Sequence, residues 1–277
     1  MSAKVELQRV QEAGWRSGLA NVLRKENRDW WGTRRWWINI IIWLLVVNGI
    51  VAAVLWSPQP DPAAGPDAPL ELLPAEVALP SGLQVLSVTA GLFVAIGVVV
   101  IMQGVVIDEK KSGTAAWILS KPVSRTAFIL SKLGANAFAL FIIVFVVQSV
   151  VAYLMFSARG ATPPLGGFVA GMGLLALHML FYLTLTLMLG TLFGDRAPVI
   201  AIPIGLLFGA QFLIGWTPWL VPFTPWTFIF PNGPEPGLAF QVMLGQPLGT
   251  VIPVIATTLW CLVFGSVALW RFQREEF

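Results

Sequence analysis

The sequence predicts an all-α membrane protein with six transmembrane helices, and three observations support this prediction. Hydrophobic residues make up 57% of the 277 residues and charged residues only 11%, against about a quarter in ordinary soluble domains. The apolar residues form six runs near the roughly 20 residues that a spanning helix needs. Basic residues cluster in alternate connections between these runs. We therefore expect one membrane domain, 1–277, with an interfacial segment at 1–35 and a six-span bundle at 36–277.

Six apolar runs define the predicted spans. The fifth is the shortest, and Pro203 and Gly205 interrupt it, although spans tolerate these residues when neighbouring helices re-satisfy the backbone. No apolar core of a signal peptide precedes the first run, so we expect that run to be an uncleaved span. The runs are Trp37 to Trp56, Leu83 to Ile107, Phe128 to Phe156, Phe168 to Phe193, Val199 to Trp216 and Val251 to Trp270.

The distribution of positive charge predicts the orientation in the membrane. Of the 17 lysine and arginine residues, only Arg159 lies on the side opposite to both termini. Basic residues accumulate on the cytoplasmic side. We therefore expect a multi-pass protein of the cell membrane with both termini in the cytoplasm, which requires an even number of spans.

Two further segments are predicted to lie at the membrane surfaces. The first 29 residues favour an amphipathic helix on the inner surface, with an apolar stripe that includes Leu7, Val10 and Trp15. Residues 217–250 combine seven prolines with many aromatic residues. This pattern predicts short re-entrant helices on the outer side before span six, or alternatively an interfacial loop anchored by its aromatic side chains.

The connection between spans two and three contains a short helical run. Ala115 to Leu119 favours a helix, Pro122 ends it, and Ser124 is a suitable N-cap for the third span. From the residues alone, this is either an ordinary basic loop of the cytoplasmic side or a rigid element that transmits force from a soluble partner.

This connection resembles the corresponding loop of type-two ABC transporter permeases, the ABC-2 family of transmembrane subunits. The run Glu109 to Thr114 supplies an acidic residue, a basic pair and Gly-Thr, and the run Leu119 to Arg125 supplies Pro-x-Ser-Arg in the same order and spacing. Residues Leu23 to Glu26 also resemble the start of that family's elbow helix. The resemblance implies half of the translocation pathway of an ATP-driven exporter.

The resemblance also implies functional residues. The connection would be the coupling helix that docks onto a cytoplasmic ATP-binding subunit, with Glu109 and Gly113 at docking positions. Arg125 has an alternative role as a ligand of lipid phosphate. The further coupling candidates are Lys110, Lys111, Thr114 and Arg125.

Nucleotide chemistry is expected on another chain. The sequence contains no G-x-x-x-x-G-K-[ST] loop of the kind that holds ATP phosphates, so we expect a transport subunit that is not an enzyme and binds no cofactor itself. ATP and magnesium would bind to the partner. The expected partners are two ABC ATPase subunits, a second permease half that is either a copy or a related chain, and membrane lipids, but no nucleic acid.

Polar residues within the spans have two possible roles. Gln103, Gln148, His178 and Gln211 lie in or near apolar runs, where they either line a pathway or form interhelical hydrogen bonds. No acidic residue lies centrally in a span, which disfavours an ion-coupled secondary transporter. That class and a non-transporting membrane anchor or assembly subunit remain the alternatives.

Overall fold

The computed structural model describes residues 14–60, 70–231 and 235–276, and most of them are helical. The start of the predicted interfacial segment, including Leu7 and Val10, lies outside the described residues. The helices are α1 (Leu19–Trp31), α2 (Arg35–Trp56), α3 (Ala75–Met102), α4 (Ile107–Lys111), α5 (Thr114–Leu119), α6 (Arg125–Ala158), α7 (Leu165–Leu192), α8 (Arg196–Trp216), α9 (Leu238–Met243) and α10 (Ile252–Gln273).

Five helical stretches in the described part of the chain are long and apolar enough to cross a bilayer. They are α2, α3 with its extension through α4, α6, α7 and α10. The predicted fifth run forms α8, a helix of 21 residues that contains Pro203. The prediction of an all-helical, multi-pass membrane protein is therefore confirmed.

The second predicted span differs from its helix at both ends. Helix α3 starts at Ala75 rather than Leu83 and continues through Pro80. It ends at Met102 rather than Ile107, because a turn follows in which Gly104 approaches the carboxylate of Asp108 too closely for a side chain. The turn separates the membrane helix from α4.

Helix α7 lies at the centre of the bundle and packs against α3, α6, α8, α9 and α10. The close approach to α9 depends on Gly171, since a Cβ there would overlap the carbonyl oxygen of Ala239 at 2.7 Å. This contact brings the segment between α8 and α10 onto the bundle.

The segment between α8 and α10 reaches the middle of two spans. It contains two short 3₁₀ turns, Val221–Phe223 and Pro225–Phe228, before α9. Ile229 packs directly against Gly91, midway along α3, where a side chain would not fit. Across from it, the buried His178 of α7 contacts the carbonyl oxygen of Pro225 through Nδ1 at 3.2 Å.

Helices α2 and α6 each contain a π-helical segment, Leu44–Asn48 and Phe141–Val146. The amide of Asn48 donates a 2.6 Å hydrogen bond to Oε1 of Gln148, and both side chains are buried. The two irregular segments therefore lie beside a polar contact that joins α2 to α6.

Candidate functional site

Helix α4 carries four consecutive charged residues, and all four form ion pairs with residues from other parts of the chain. Short ionic contacts thereby connect α4 with α1, α6, the beginning of α8 and the residues after α10. Contiguous packed and ionic contacts are the physical route by which a displacement at one place is felt at another. We define the charged junction as Asp108, Glu109, Lys110 and Lys111 together with Lys25, Glu26, Lys132, Asp195, Arg196 and Glu275.

Glu109 lies at the centre of the charged junction between two lysines. Lys25 of α1 donates a 2.7 Å hydrogen bond to Oε1 of Glu109, and Nζ of Lys132 lies 3.0 Å from Oε2. Lys132, whose side chain is 2% exposed, also contacts Glu26 at 3.1 Å. Burial lowers the pKa of Lys25, but Glu109 and Glu26 outweigh this effect and raise the pKa above its usual value. Two carboxylates thus balance two lysines, as charges away from water require.

The position of Glu109 bears on its predicted docking role. The side chain is 16% exposed and is used by Lys25 and Lys132. Its contact with another subunit stays a prediction. The linear sequence could not indicate that Glu109 forms these internal ion pairs, because its partners Lys25 and Lys132 lie in two other helices.

Two exposed ion pairs connect α4 to the start of α8. The guanidinium of Arg196 donates to both carboxylate oxygens of Asp108 at 2.6 Å. Lys111 donates a 2.6 Å hydrogen bond to Asp195 and thereby lowers the pKa of that carboxyl group. These pairs are open to solvent, so each contributes little to stability by itself, but both fix the position of α8 relative to α4.

Lys110 connects α4 to the C-terminal end of the described chain. Its ammonium lies 2.7 Å from the carboxylate of Glu275, which also pairs with Arg271 at 3.2 Å. The side chains of Lys110 and Glu275 are each 16% exposed. The coupling candidate Lys110 is therefore engaged within the chain, at the end of α10.

The turn between α4 and α5 faces outward. Gly113 adopts φ 72°, and nothing lies within 4 Å of the space that a side chain would occupy. Glycine is favoured here by the left-handed backbone, and the open space leaves the backbone accessible. The hydroxyl groups of Ser112 and Thr114 lie 2.8 Å apart and hold the turn together.

Trp117 is the most prominent exposed side chain of α5. It is 63% exposed, and the ammonium of Lys121 lies 3.4 Å from the centre of its ring. Tryptophan is enriched at the energetic centres of protein interfaces. The sequence-based candidates omitted both residues, although the helical run alone places Trp117 opposite the buried Ala115 and Ile118.

The chain between α5 and α6 is fixed from two sides. Ser17 donates a 2.6 Å hydrogen bond to the carbonyl oxygen of Pro122, which joins this chain to the start of α1. Ser124 accepts a bond from the backbone of Ala127, so the predicted N-cap is confirmed. Arg125 donates to the carbonyl oxygen of Gln273 at 2.6 Å, which places this coupling candidate against α10.

The polar residues predicted to lie within the membrane have different surroundings. Gln148 and His178 make the interhelical contacts described above, with Asn48 and Pro225. Gln103 lies in a cavity at the inner end of α3. The side chain of Gln211 lies outside the described side chains.

The described residues offer no chemistry beyond ionic and hydrogen-bond contacts at the charged junction. No group of three or more histidine, cysteine, aspartate or glutamate residues within 14–60, 70–231 and 235–276 could hold a metal ion. The charged junction joins the helices through ionic contacts.

Comparison with known proteins gives the family. The model of the ABC-2 family transporter protein matches residues 20–277. The chain is also similar to the uncharacterized transmembrane protein YxlG of Bacillus subtilis (strain 168), with 26% identity over 284 residues that cover 92% of this chain and 97% of that protein.

The family match includes the charged junction and all the spanning helices. Permeases of this family are membrane transport components that work with ATP-binding subunits. With its apolar helices and the match over nearly its full length, the chain belongs to the ABC-2 transporter family as a multi-pass membrane permease.

Proposed function

We propose that this chain is one permease half of an ATP-driven exporter, coupled to a separate ATP-binding subunit through α4 and α5. The observation that carries the proposal is the exposed Trp117 on a short helix that is joined, through the charged junction, to four other parts of the bundle. A short helix that is exposed on one side and connected to the spans on the other is suited to receiving a displacement from a partner subunit.

The proposal includes six spans with both termini in the cytoplasm. Arg196 at the start of α8 contacts Asp108, and Glu275 after α10 contacts Lys110, so the two helices share one side at these ends. A polypeptide chain that leaves that side of the membrane through α8 returns to the same side through α10. Since α10 is long and apolar enough to cross the bilayer, this arrangement supports a crossing by α8 as well. The positive charge near the junction supports a cytoplasmic position for that side.

The proposed outer closure is the segment between α8 and α10. Its contacts with Gly91 and His178, each near the middle of a span, support re-entrant packing rather than a surface loop. Irregular backbone at such depth must be covered by protein. The burial of Phe228 and Ile229, each 0% exposed, is consistent with this requirement.

The proposed contact with the ATP-binding subunit consists of Gly113, Thr114, Trp117 and Lys121. Glu109 and Lys132 then carry the resulting displacement from α4 into α6. ATP and magnesium bind to the partner. Two such partners and a second permease half, either a copy or a related chain, complete the transporter.

The experiment is site-directed cross-linking in the membrane. Cys261 is the single cysteine, so Cys261→Ser provides a background in which Trp117→Cys can be tested for cross-links to a purified subunit that carries the ATP-binding motif. Trp219→Cys is the matched control, since Trp219 is also an exposed tryptophan, at 71%, and lies in the segment proposed for the outer side.

We expect an ATP-dependent cross-link at position 117 and none at position 219. Trp117→Ala should reduce stimulated ATP hydrolysis by about tenfold or more, as truncation of an interface anchor does, without reducing the amount of protein in the membrane. Cross-linking at both positions alike, or unchanged ATP hydrolysis, would contradict the proposed contact.

A further inference from the structure

A polar cavity of about 320 Å³ lies beside the charged junction, between α1, α2, α3, α4, α6 and α8. Its volume is at the lower end of the range for small-molecule sites, about 300 to 1,000 Å³. Trp30 and Asn136 form its inner wall, where the indole donates a 3.0 Å hydrogen bond to the amide oxygen. Val100, which also lines the cavity, is 52% exposed on the outside of α3. The cavity is therefore accessible beside Val100 on α3 and also at the solvent-exposed pair of Asp108 and Arg196.

Opposite charges line this cavity in nearly equal number. The lining includes the carboxylates of Glu26, Asp29, Asp108 and Glu109 and the cations of Arg35, Lys132 and Arg196, and Lys25 stands behind it in contact with Glu26. A cavity whose charges nearly balance would bind a neutral zwitterion more readily than an anion. The carboxylates would repel an anion, which brings no cation to pair with them.

Arg35 and Asp29 attract each other electrostatically but form no direct ion pair among the described residues. The guanidinium of Arg35 lies 4.0 Å above the ring of Trp30, and no carboxylate lies within 4.0 Å of it among the described residues. The carboxylate of Asp29 is 57% exposed, and its nearest cation in that set, Lys25, is 4.0 Å away. Gln103, which also lines the cavity, makes no side-chain hydrogen bond to a described residue.

We propose that this cavity binds the head group of a zwitterionic phospholipid that carries a primary amine, as in phosphatidylethanolamine. Arg35 and the amide of Gln103 bind the phosphate, and Asp29 accepts hydrogen bonds from the ammonium group. The acyl chains lie along Val100 on the lipid-facing side of α3. This site is separate from the proposed contact with the ATP-binding subunit.

The arrangement selects a primary amine over a quaternary one. A trimethylammonium group has no N–H donor and depends on an aromatic face, but Arg35 already covers the face of Trp30. A primary ammonium offers three donors, which match the exposed carboxylate of Asp29. Phosphatidylcholine should therefore bind more weakly, and phosphatidylglycerol should be disfavoured by its net negative charge.

The test is native mass spectrometry of the full chain after exchange into detergent with equimolar phosphatidylethanolamine, phosphatidylcholine and phosphatidylglycerol. We expect preferential retention of phosphatidylethanolamine, reduced at least about tenfold in Arg35→Gln and in Asp29→Asn, since each removes a charge-assisted contact. Arg34→Gln is the matched control, because Arg34 is exposed and does not line the cavity. Thermal melting of each variant separates a lost site from a lost fold.

Two soluble competitors distinguish a phospholipid from a free phosphate compound as the ligand of this cavity. Soluble glycerophosphoethanolamine should displace the lipid only at much higher concentration, since it lacks acyl chains. Displacement by inorganic phosphate at the concentration of the lipid would show a phosphate site and overturn the proposal. Equal retention of the three lipids, or equal behaviour of Arg35→Gln and Arg34→Gln in correctly folded protein, would also overturn it.

Discussion

Lys132 of α6 lies 3.0 Å from Glu109 of α4 and 3.1 Å from Glu26 of α1. One buried ammonium group thus joins an amphipathic helix, a membrane span and the short helix that leads to the exposed turn. The inner end of α6 cannot change its position relative to α4 without separating these charges.

Replacement of Lys132 by methionine should strongly destabilise the protein. Among the described residues, Glu26 and Glu109 would retain only Lys25 as a cation within 4.0 Å. Loss of one member of a buried ionic group lowers the free energy of unfolding by about 3 to 5 kcal/mol. Denaturant titration followed by tryptophan fluorescence measures this loss. Lys111→Met, at a lysine that is 59% exposed, is the control and should lose no more than about 1 kcal/mol.

The pair of Asp108 and Arg196 should behave as a surface interaction despite its two short contacts. Both side chains are about half exposed, at 50% and 53%. A double-mutant cycle with Asp108→Asn and Arg196→Gln should give an interaction of about 1 kcal/mol or less that decreases with added salt. An interaction above that range and insensitive to salt would contradict the exposed setting.

Gly113→Ala should weaken the exposed turn through the backbone alone. The residue has φ 72° and no neighbour within 4 Å of the added methyl group, so the left-handed conformation costs about 1 to 2 kcal/mol without any clash. Gly166→Ala is the control, since that glycine also has open space but lies in helix α7. Thermal melting should fall for Gly113→Ala and stay or rise for Gly166→Ala. The same response in both variants would exclude the backbone explanation.

Asn48 and Gln148 should contribute a modest interhelical interaction. Their 2.6 Å hydrogen bond is buried between α2 and α6, and such bonds average about 0.6 kcal/mol within membranes. A double-mutant cycle with Asn48→Leu and Gln148→Leu should return a value of that order in unfolding assays. A value near zero would indicate that the unfolded state in the membrane satisfies these amides equally well.

Hydrophobicity predicted the spans well, because the bilayer imposes a requirement on each run separately. The runs from Phe128 to Phe156 and from Phe168 to Phe193 lie almost entirely within α6 and α7. The turn after Met102 was missed because Val105, Val106 and Ile107 continue the apolar run beyond the end of α3. Composition does not show where the helix breaks.

The helical run and the N-cap at Ser124 were predicted correctly, whereas the coupling role of the candidate residues stays a prediction. The inward orientation of Glu109 was not predictable, since its partners Lys25 and Lys132 come from other helices. The exposure of Trp117 was easier to predict from the sequence. It follows from the helical positions of its neighbours once a helix is assumed, but a tryptophan in a membrane protein is ordinarily assigned to an interface with lipid.

The π-helical segment of α2 determines which residues face the lipid. Trp43, Val47, Val51 and Leu55 are buried and recur at every fourth position. Along a regular α-helix, a stripe with this spacing turns by about 40° at each step, and the wider winding of Leu44–Asn48 takes up part of that rotation. Deletion of Gly49, in the regular helix just after this segment, would leave the run long enough to cross the membrane. It would rotate Val51 and Leu55 by about 100°, away from the interior and toward the acyl chains.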